Sequence, residues 1–390
     1  MLFRSPQRGP IWLPMAAWFL VWALYLSFVN VGQIFYGFGW ESLLLETGAL
    51  AVFLGPADTA PPVLVIVLVR WLLFRVEFGA GLIKIRGDAC WRNLTCLNYH
   101  HETQPMPGPF SWYFHRLPPS LHRVEVAANH VAQLVVPWLL FAPQPVAGVA
   151  GVIVIVTQLW LVCSGNFAWL NALTITLALF ALDDGWLSWL PVGPPALSPA
   201  PPAFAAVVIA ATVAVVVLSY WPVRNLLSSR QAMNASFNRW HLVNAYGAFG
   251  SVTRERHEVI VEGTADPAAG PDASWLEYGF KGKPGDPRRR PRQWAPYHLR
   301  LDWLMWFAAL SPAYADRWLV AFLRKLGAGD PAILRLLARN PFPDHPPALV
   351  RARLYHYRFT TREERRATGD VWVRELLGDY ARPIGPGQRV

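Results

Sequence analysis

The sequence predicts a polytopic α-helical membrane bundle followed by a water-facing, β-rich α+β C-terminal domain. Three observations carry that expectation. Of 390 residues 54% are hydrophobic and only 15% charged, with 20 Trp, which is too apolar and too aromatic for an ordinary soluble enzyme. Apolar runs before Trp221 are long enough for bilayer-crossing helices, whereas those after it are short and bounded by Gly, Pro and Asp. Charge divides at the same place: through Trp221 basic and acidic side chains balance at nine each, so the net +10 belongs to the remainder. The expected domains are therefore residues 1–221, a multi-pass transmembrane domain with a central polar loop at 84–121, and residues 222–390, a soluble domain.

A hydrocarbon core takes about 20 apolar residues as helix, because every backbone polar group must be bonded internally. Five runs satisfy this, at 11–29, 62–83, 146–163, 167–182 and 204–221. Two more carry polar residues: 39–54 with Glu41 and Glu46, and 124–141 with Glu125, Asn129, His130 and Gln133. Arg4 and Arg8 precede an apolar run without a small-residue cleavage site, which reads as a retained signal anchor. The connector LPVGPPALSPAPP reads as an extended linker.

After Trp221 the segments HEVIVEGT (257–264), SWLEYGFKG (274–282) and ARLYHYRF (352–359) read as strands, and 301–309 and 315–326 as helices. Lys and Arg near the loops give mixed votes on orientation. Four predicted spans separate the central loop from the C-terminal domain, so both face one compartment. Three Cys exclude a disulfide scaffold, and the abundance of Ala, Pro and Arg suggests a GC-rich, bacterial genome.

Several polar residues stand at membrane depth. Arg70, Glu77 and Lys84 are seven apart, nearly two helical turns, and can form an ion-paired stripe. His122, Glu125, Asn129 and Gln133 share one helix side, with His130 beside them. Glu41 and Glu46 suit hydrogen bonds to a neighbouring helix or to the Arg70 stripe, or else acid–base work. Charge at this depth costs roughly 2.5–3.5 kcal/mol per residue, so such groups face protein or a wet cavity. The bland reading is interhelical pairing. The functional one is an intramembrane polar pocket of Glu41, Glu46, Arg70, Glu77, Glu125, Asn129 and His130.

The central loop concentrates Cys90, Cys96, His100, His101, Glu102, Trp112, Tyr113 and His115. Its spacing meets no tetrahedral metal pattern, so neither a metal nor a cofactor is expected. Cys90 and Cys96 form a disulfide if the loop faces an oxidising compartment and remain thiols if it faces the cytoplasm. Asn93-Leu94-Thr95 is formally a glycosylation sequon. The run Arg288–Arg290 with Arg292 could bind phosphates but reads first as a solvated turn, and its Pro and acidic neighbours argue against nucleic acid.

Longer stretches carry a resemblance. GWESLLLETGALAVFL (39–54), GLIKIRGDACWRNLTCLNYHHETQPMPGPFSWYFHRLP (81–118), SGNFAWLNALTI (164–175) and NAYGAFGSVTRERHEVIVEGT (244–264), with WLEYGFKGKPGDPRRRP and APYHLRLDWLMWFAAL, together resemble the lipase maturation factor family of multi-pass membrane proteins. Members of that family carry further membrane sequence before the segment equivalent to residues 11–29.

The resemblance implies an endoplasmic-reticulum membrane factor in animals that helps dimeric lipases fold and assemble, with the central loop and C-terminal domain on the lumenal side and no established catalytic residue. For a bacterial member the equivalent place is the cytoplasmic membrane. A distant likeness to vitamin K-dependent carboxylases in membrane architecture keeps an enzyme reading in play.

The expected function is a membrane-embedded, chaperone-like maturation or assembly factor for exported proteins, with a client protein such as a lipase and membrane lipids as partners. His100, His101, Glu102, Trp112, Tyr113 and His115 form the candidate interaction loop, and 244–250 a second interaction or architecture-fixing segment. The alternative is a polytopic membrane enzyme acting on a lipid or peptide in the polar pocket.

Overall fold

The computed structural model describes residues 10–189, 191, 197–270 and 273–385. Arg4, Arg8 and part of the Pro-rich connector lie outside them. The chain forms two compact units: Met1–Cys96, Pro119–Leu161 and Trp169–Val252 make the first, and Leu97–Pro118, Val162–Ala168 and Thr253–Val390 the second. This partition is not a single cut at Trp221. Two short segments from the helical half belong with the C-terminal unit, and residues 222–252 belong with the helices.

The first unit is built from α1 (Trp12–Gly32), α2 (Gly39–Ala51), α3 (Val63–Arg86), α4 (Pro119–Leu134), α5 (Val146–Ser164, whose last turn joins the second unit), α6 (Leu170–Ala178) and α7 (Pro202–Leu218). Three helical stretches among the described residues are long and apolar enough to cross a membrane: Trp12–Tyr36, Val146–Ser164 and Pro202–Leu227. The chain is therefore an integral membrane protein. At 24 residues α3 has the length but carries Arg70, Arg75, Glu77, Lys84 and Arg86. The 13 residues of α2 reach only about 20 Å. Around 124–141, α4 starts earlier than the pattern suggests and ends at Leu134, before Pro137, which has no N–H to donate.

The core of this unit gathers Leu43 of α2, Leu72 and Leu73 of α3, Val154 of α5 and Leu177 of α6 around α3. The segment 244–252 lies along α3 at backbone contact distance. A Cβ on Gly79 would fall 2.3 Å from the Tyr246 carbonyl oxygen, and one on Gly87 2.1 Å from that of Gly250. Glycine is required at both places because the obstructing atoms are backbone.

The second unit is α+β. Its sheet has the order β2-β1-β3-β4, all antiparallel, with β1 Arg256–Thr264, β2 Leu276–Glu277, β3 Leu349–Phe359 and β4 Trp372–Ile384. Helices α8 (Arg300–Leu310) and α9 (Leu319–Gly327) lie in the segments read as helical. SWLEYGFKG contributes only two strand residues, because Gly279 leaves the sheet to bridge to Arg339. A small helix, α10 (Arg362–Thr368), joins β3 to β4. It opens with a Thr361/Glu364 capping box and ends at Gly369, whose φ of 76° suits glycine. One core cluster packs Trp112, from the central loop, with Ile260, Tyr357, Phe359 and Trp372.

Candidate functional site

The polar residues of the helical unit are consumed in two main networks. In the first, the Glu46 carboxylate is met by both terminal nitrogens of the Arg75 guanidinium, by the Asn244 backbone N–H and side-chain amide at 3.0 Å each, and by the Tyr246 hydroxyl at 2.8 Å. Arg75 also donates to the Asn244 carbonyl at 2.7 Å. Arg75 and Glu46 are buried, so each compensates the charge of the other where water cannot. The NAYG motif thus supplies three donors and an acceptor to an ion pair between α2 and α3.

The second network is a chain of amides. Glu77 accepts from Gln133 at 3.1 Å and from Gln158 at 2.7 Å, and Gln158 in turn accepts from Asn171 at 2.7 Å. On the other side Lys84 donates to Gln133 and to Asn129, both at 2.8 Å, and lies 4.8 Å from the Trp91 ring centre. Glu77 and Lys84 are thereby linked through Gln133, and the chain ties together α3, α4, α5 and α6.

The other predicted pocket residues go elsewhere. Arg70 does not pair with Glu46; it donates to the carbonyls of Phe180 and Leu140 at 3.1 and 3.2 Å. Glu41 accepts from the Tyr25 hydroxyl, Glu125 from the Trp160 indole at 2.6 Å, and His130 meets the Trp91 carbonyl at 3.0 Å. Of the seven residues of the expected pocket, Glu77 and Asn129 share the amide network and the other five go to separate partners. The pattern of seven selected Arg70 and passed over Arg75, which lies on another face of α3. An arginine isolated in the apolar stretch LLFRVEF was the signal, because it needs a buried acceptor.

Cys90 and Cys96 are joined by a disulfide, with Cα atoms 4.8 Å apart. Among the described residues no group of three or more His, Cys, Asp or Glu is placed to hold a metal ion.

In the second unit residues Leu97–Pro118 of the central loop contribute to the core. His100, His101 and Trp112 are buried, His115 and Glu102 are largely so, and of the six residues expected to make the interaction loop only Tyr113 is exposed, at 49%. His100 stacks on Phe167, and the Trp112 indole donates to the Thr360 carbonyl at 3.0 Å. Glu102 accepts the Phe359 N–H at 2.6 Å and faces His115 at 3.6 Å. Burial pushes its carboxyl up, against the opposing pull of that N–H and of Arg256.

Arg256 fixes the loop most firmly. It donates to the carbonyls of Glu102, Gln104 and Pro105, at 2.8, 2.5 and 3.1 Å, while pairing with Glu258 at 2.5 Å. Glu258 also holds Lys283 at 2.9 Å, and all three side chains are at most 1% exposed. Asn166 adds a neutral staple: its amide donates to the carbonyls of Pro107 and Arg292, and its oxygen accepts from the N–H groups of Trp294 and Ala295.

Long apolar helices with a buried polar network, on a chain that also carries a four-stranded α+β unit, define an integral membrane protein with a structured extension. Comparison with known proteins gives the family. A model of the lipase maturation factor transmembrane domain matches residues 5–189, and one of the lipase maturation factor C-terminal domain matches residues 242–382. Human lipase maturation factor 1 is 48% identical over 394 residues, covering 93% of this chain and 70% of the relative. Human lipase maturation factor 2 is 28% identical over 512 residues, covering 99% and 71%, and the chicken lipase maturation factor 2 is 30% identical over 475 residues, covering 90% and 65%. The chain belongs to the lipase maturation factor family. No solved structure matches it.

Proposed function

We propose that this protein is a membrane-embedded maturation factor that assists the folding or assembly of exported proteins, with lipases as the first clients to test. One observation carries the reading beyond family membership: the ionisable groups of the helices are spent on one another and on amides, as in a scaffold. A membrane enzyme would need such groups to converge on a cavity. The helices α2, α3, α4 and α6, shorter or more polar than the three apolar stretches, complete a multi-pass bundle by packing their polar sides inward.

That Leu97–Pro118 and Thr253–Val390 form one compact unit supports their lying on the same side of the membrane. The Cys90–Cys96 disulfide supports an oxidising compartment for that side: the endoplasmic-reticulum lumen in a eukaryotic host, the cell exterior or periplasm in a bacterial one. The test is expression of this chain, with a dimeric lipase, in cells lacking their own lipase maturation factor. Recovery of secreted lipase activity is expected. Activity at background while this protein reaches the membrane intact would sink the reading.

A further inference from the structure

In the arginine run after KGKPGDP the side chains of Arg288, Arg290 and Arg292 are exposed, as in a solvated turn, while Arg289 is half-buried. The run wraps one side of a cavity of about 280 Å³ in the second unit, lined by five cations, Lys281, Lys283, Arg289, Arg290 and Arg292, with Trp294 and Trp372 and without a carboxylate. That volume holds on the order of nine waters at ~30 Å³ each, and it sits near the lower edge of ordinary ligand pockets at about 300 Å³. It suits a small charged group.

Lys283 is neutralised by Glu258. Lys281, Arg289 and Arg290 are held by main-chain carbonyls, which leave the charge intact, and Arg292 is exposed. Lys281 donates to the Arg335 carbonyl at 2.8 Å, Arg290 to that of Pro109 at 3.2 Å, and Arg289 to those of Phe280 and Lys283. A second buried carboxylate nearby, Asp302, spends one oxygen on the backbone N–H groups of Gly282 and Lys283, at 2.6 and 2.9 Å. Burial and neighbouring Arg292 hold the Arg289 guanidinium below its ordinary value against the pull of Asp302 and Asp286, a burden that a bound anion would relieve.

A second observation is independent of charge. The indole nitrogens of Trp294 and Trp372, both lining residues, are buried and have no hydrogen-bond partner; Trp372 itself is 1% exposed. Buried donors left without an acceptor are uncommon, because each has given up its water for nothing. The backbone here is also built to stay open: Asn166 clamps the Arg292 carbonyl and the N–H groups of Trp294 and Ala295, at 3.0, 2.7 and 2.9 Å. Fixed cations, unused N–H donors and a rigid wall are the elements of an oxyanion site.

We propose that this cavity binds a phosphate-type oxyanion, either as a free anion or as the phosphoryl group of a lipid headgroup.

Calorimetric titration of the full chain in maltoside micelles with inorganic phosphate, at constant chloride, is the test. Saturable binding is expected. Arg292→Gln and Trp294→Phe, the latter keeping a ring and losing the N–H, should each weaken it about tenfold, while Lys325→Gln on α9 leaves it unchanged. A parallel titration with monomeric dihexanoyl phosphatidic acid separates the sources: tighter binding than phosphate assigns the headgroup, and equal binding assigns the free anion. No saturable binding of either, or both cavity variants binding as the parent does, would overturn the proposal.

Discussion

Both units bury charge and both hold a direct ion pair, Glu46 with Arg75 and Glu258 with Arg256, but the helical unit also buries a carboxylate that touches no cation. In the helical unit Glu77 is met by two glutamine amides, and its cationic counterpart Lys84 stands one side chain further on. In the sheet unit Glu258 touches Arg256 and Lys283 directly, and Arg256 spreads its other donors over three carbonyls of residues 102–105. The cause lies in the backbone. Carbonyls inside a helix are already bonded to N–H groups four residues on, so a charge there turns to side chains or, as Arg70 does, to carbonyls near helix ends. An irregular segment has carbonyls to spare. Arg75 follows the same rule within the helical unit, since the carbonyl it reaches belongs to non-helical Asn244.

The largest expected effect follows from that contrast. Glu258→Gln leaves Arg256 and Lys283 buried with no full negative charge between them, which should cost about 3–5 kcal/mol and release the 97–118 segment. Protease nicking within 97–118 reads it, and an unaltered digestion pattern would break the comparison. Next is the link between the Cys residues. A loop this short gives about 2 kcal/mol on chain-entropy grounds, so Cys90→Ser with Cys96→Ser should lower the melting temperature measurably in detergent.

Glu77→Gln should cost less, about 1 kcal/mol, because an amide still accepts from one glutamine and interhelical hydrogen bonds average ~0.6 kcal/mol. A loss as large as that of Glu258→Gln would show that the two networks are not different in kind. The smallest effect concerns Glu364, whose carboxyl is held down to about 2 by hydrogen bonds from Arg358 and the Thr361 N–H. A depressed carboxyl stabilises the fold above its ordinary value near 4.5, and that contribution is lost as pH falls through about 2. The gap in melting temperature between the parent and Glu364→Gln should therefore be present at neutral pH and close in acid.

Much of the architecture was legible locally. Apolar runs of helix length marked the three stretches able to cross a membrane, and alternation marked β1 and β3. β4 escaped because VRELLGDYARPI interrupts alternation with charges, Gly and Pro; its partner β3 gives it order, through register shifts that skip residues near Gly378. At the polar site the residue types were visible and their pairing was not. His100, His101 and Trp112 read as a loop able to meet a partner because their polarity and aromaticity fit a surface. Their burial comes from contacts with Phe167 and Thr360 that no local pattern encodes.

The sequence alone determined that apolar helices precede a charged, strand-bearing part, and that Glu46, Glu77 and Lys84 had to find partners within protein, since hydrocarbon offers none. Tertiary structure decided which partners. Glu46 meets Arg75, 29 residues away, and Asn244, 198 away, while Arg256 holds a loop about 150 residues before it. Helical and strand periods order neighbours a few residues apart; which distant charges meet is fixed only when the helices and the sheet pack.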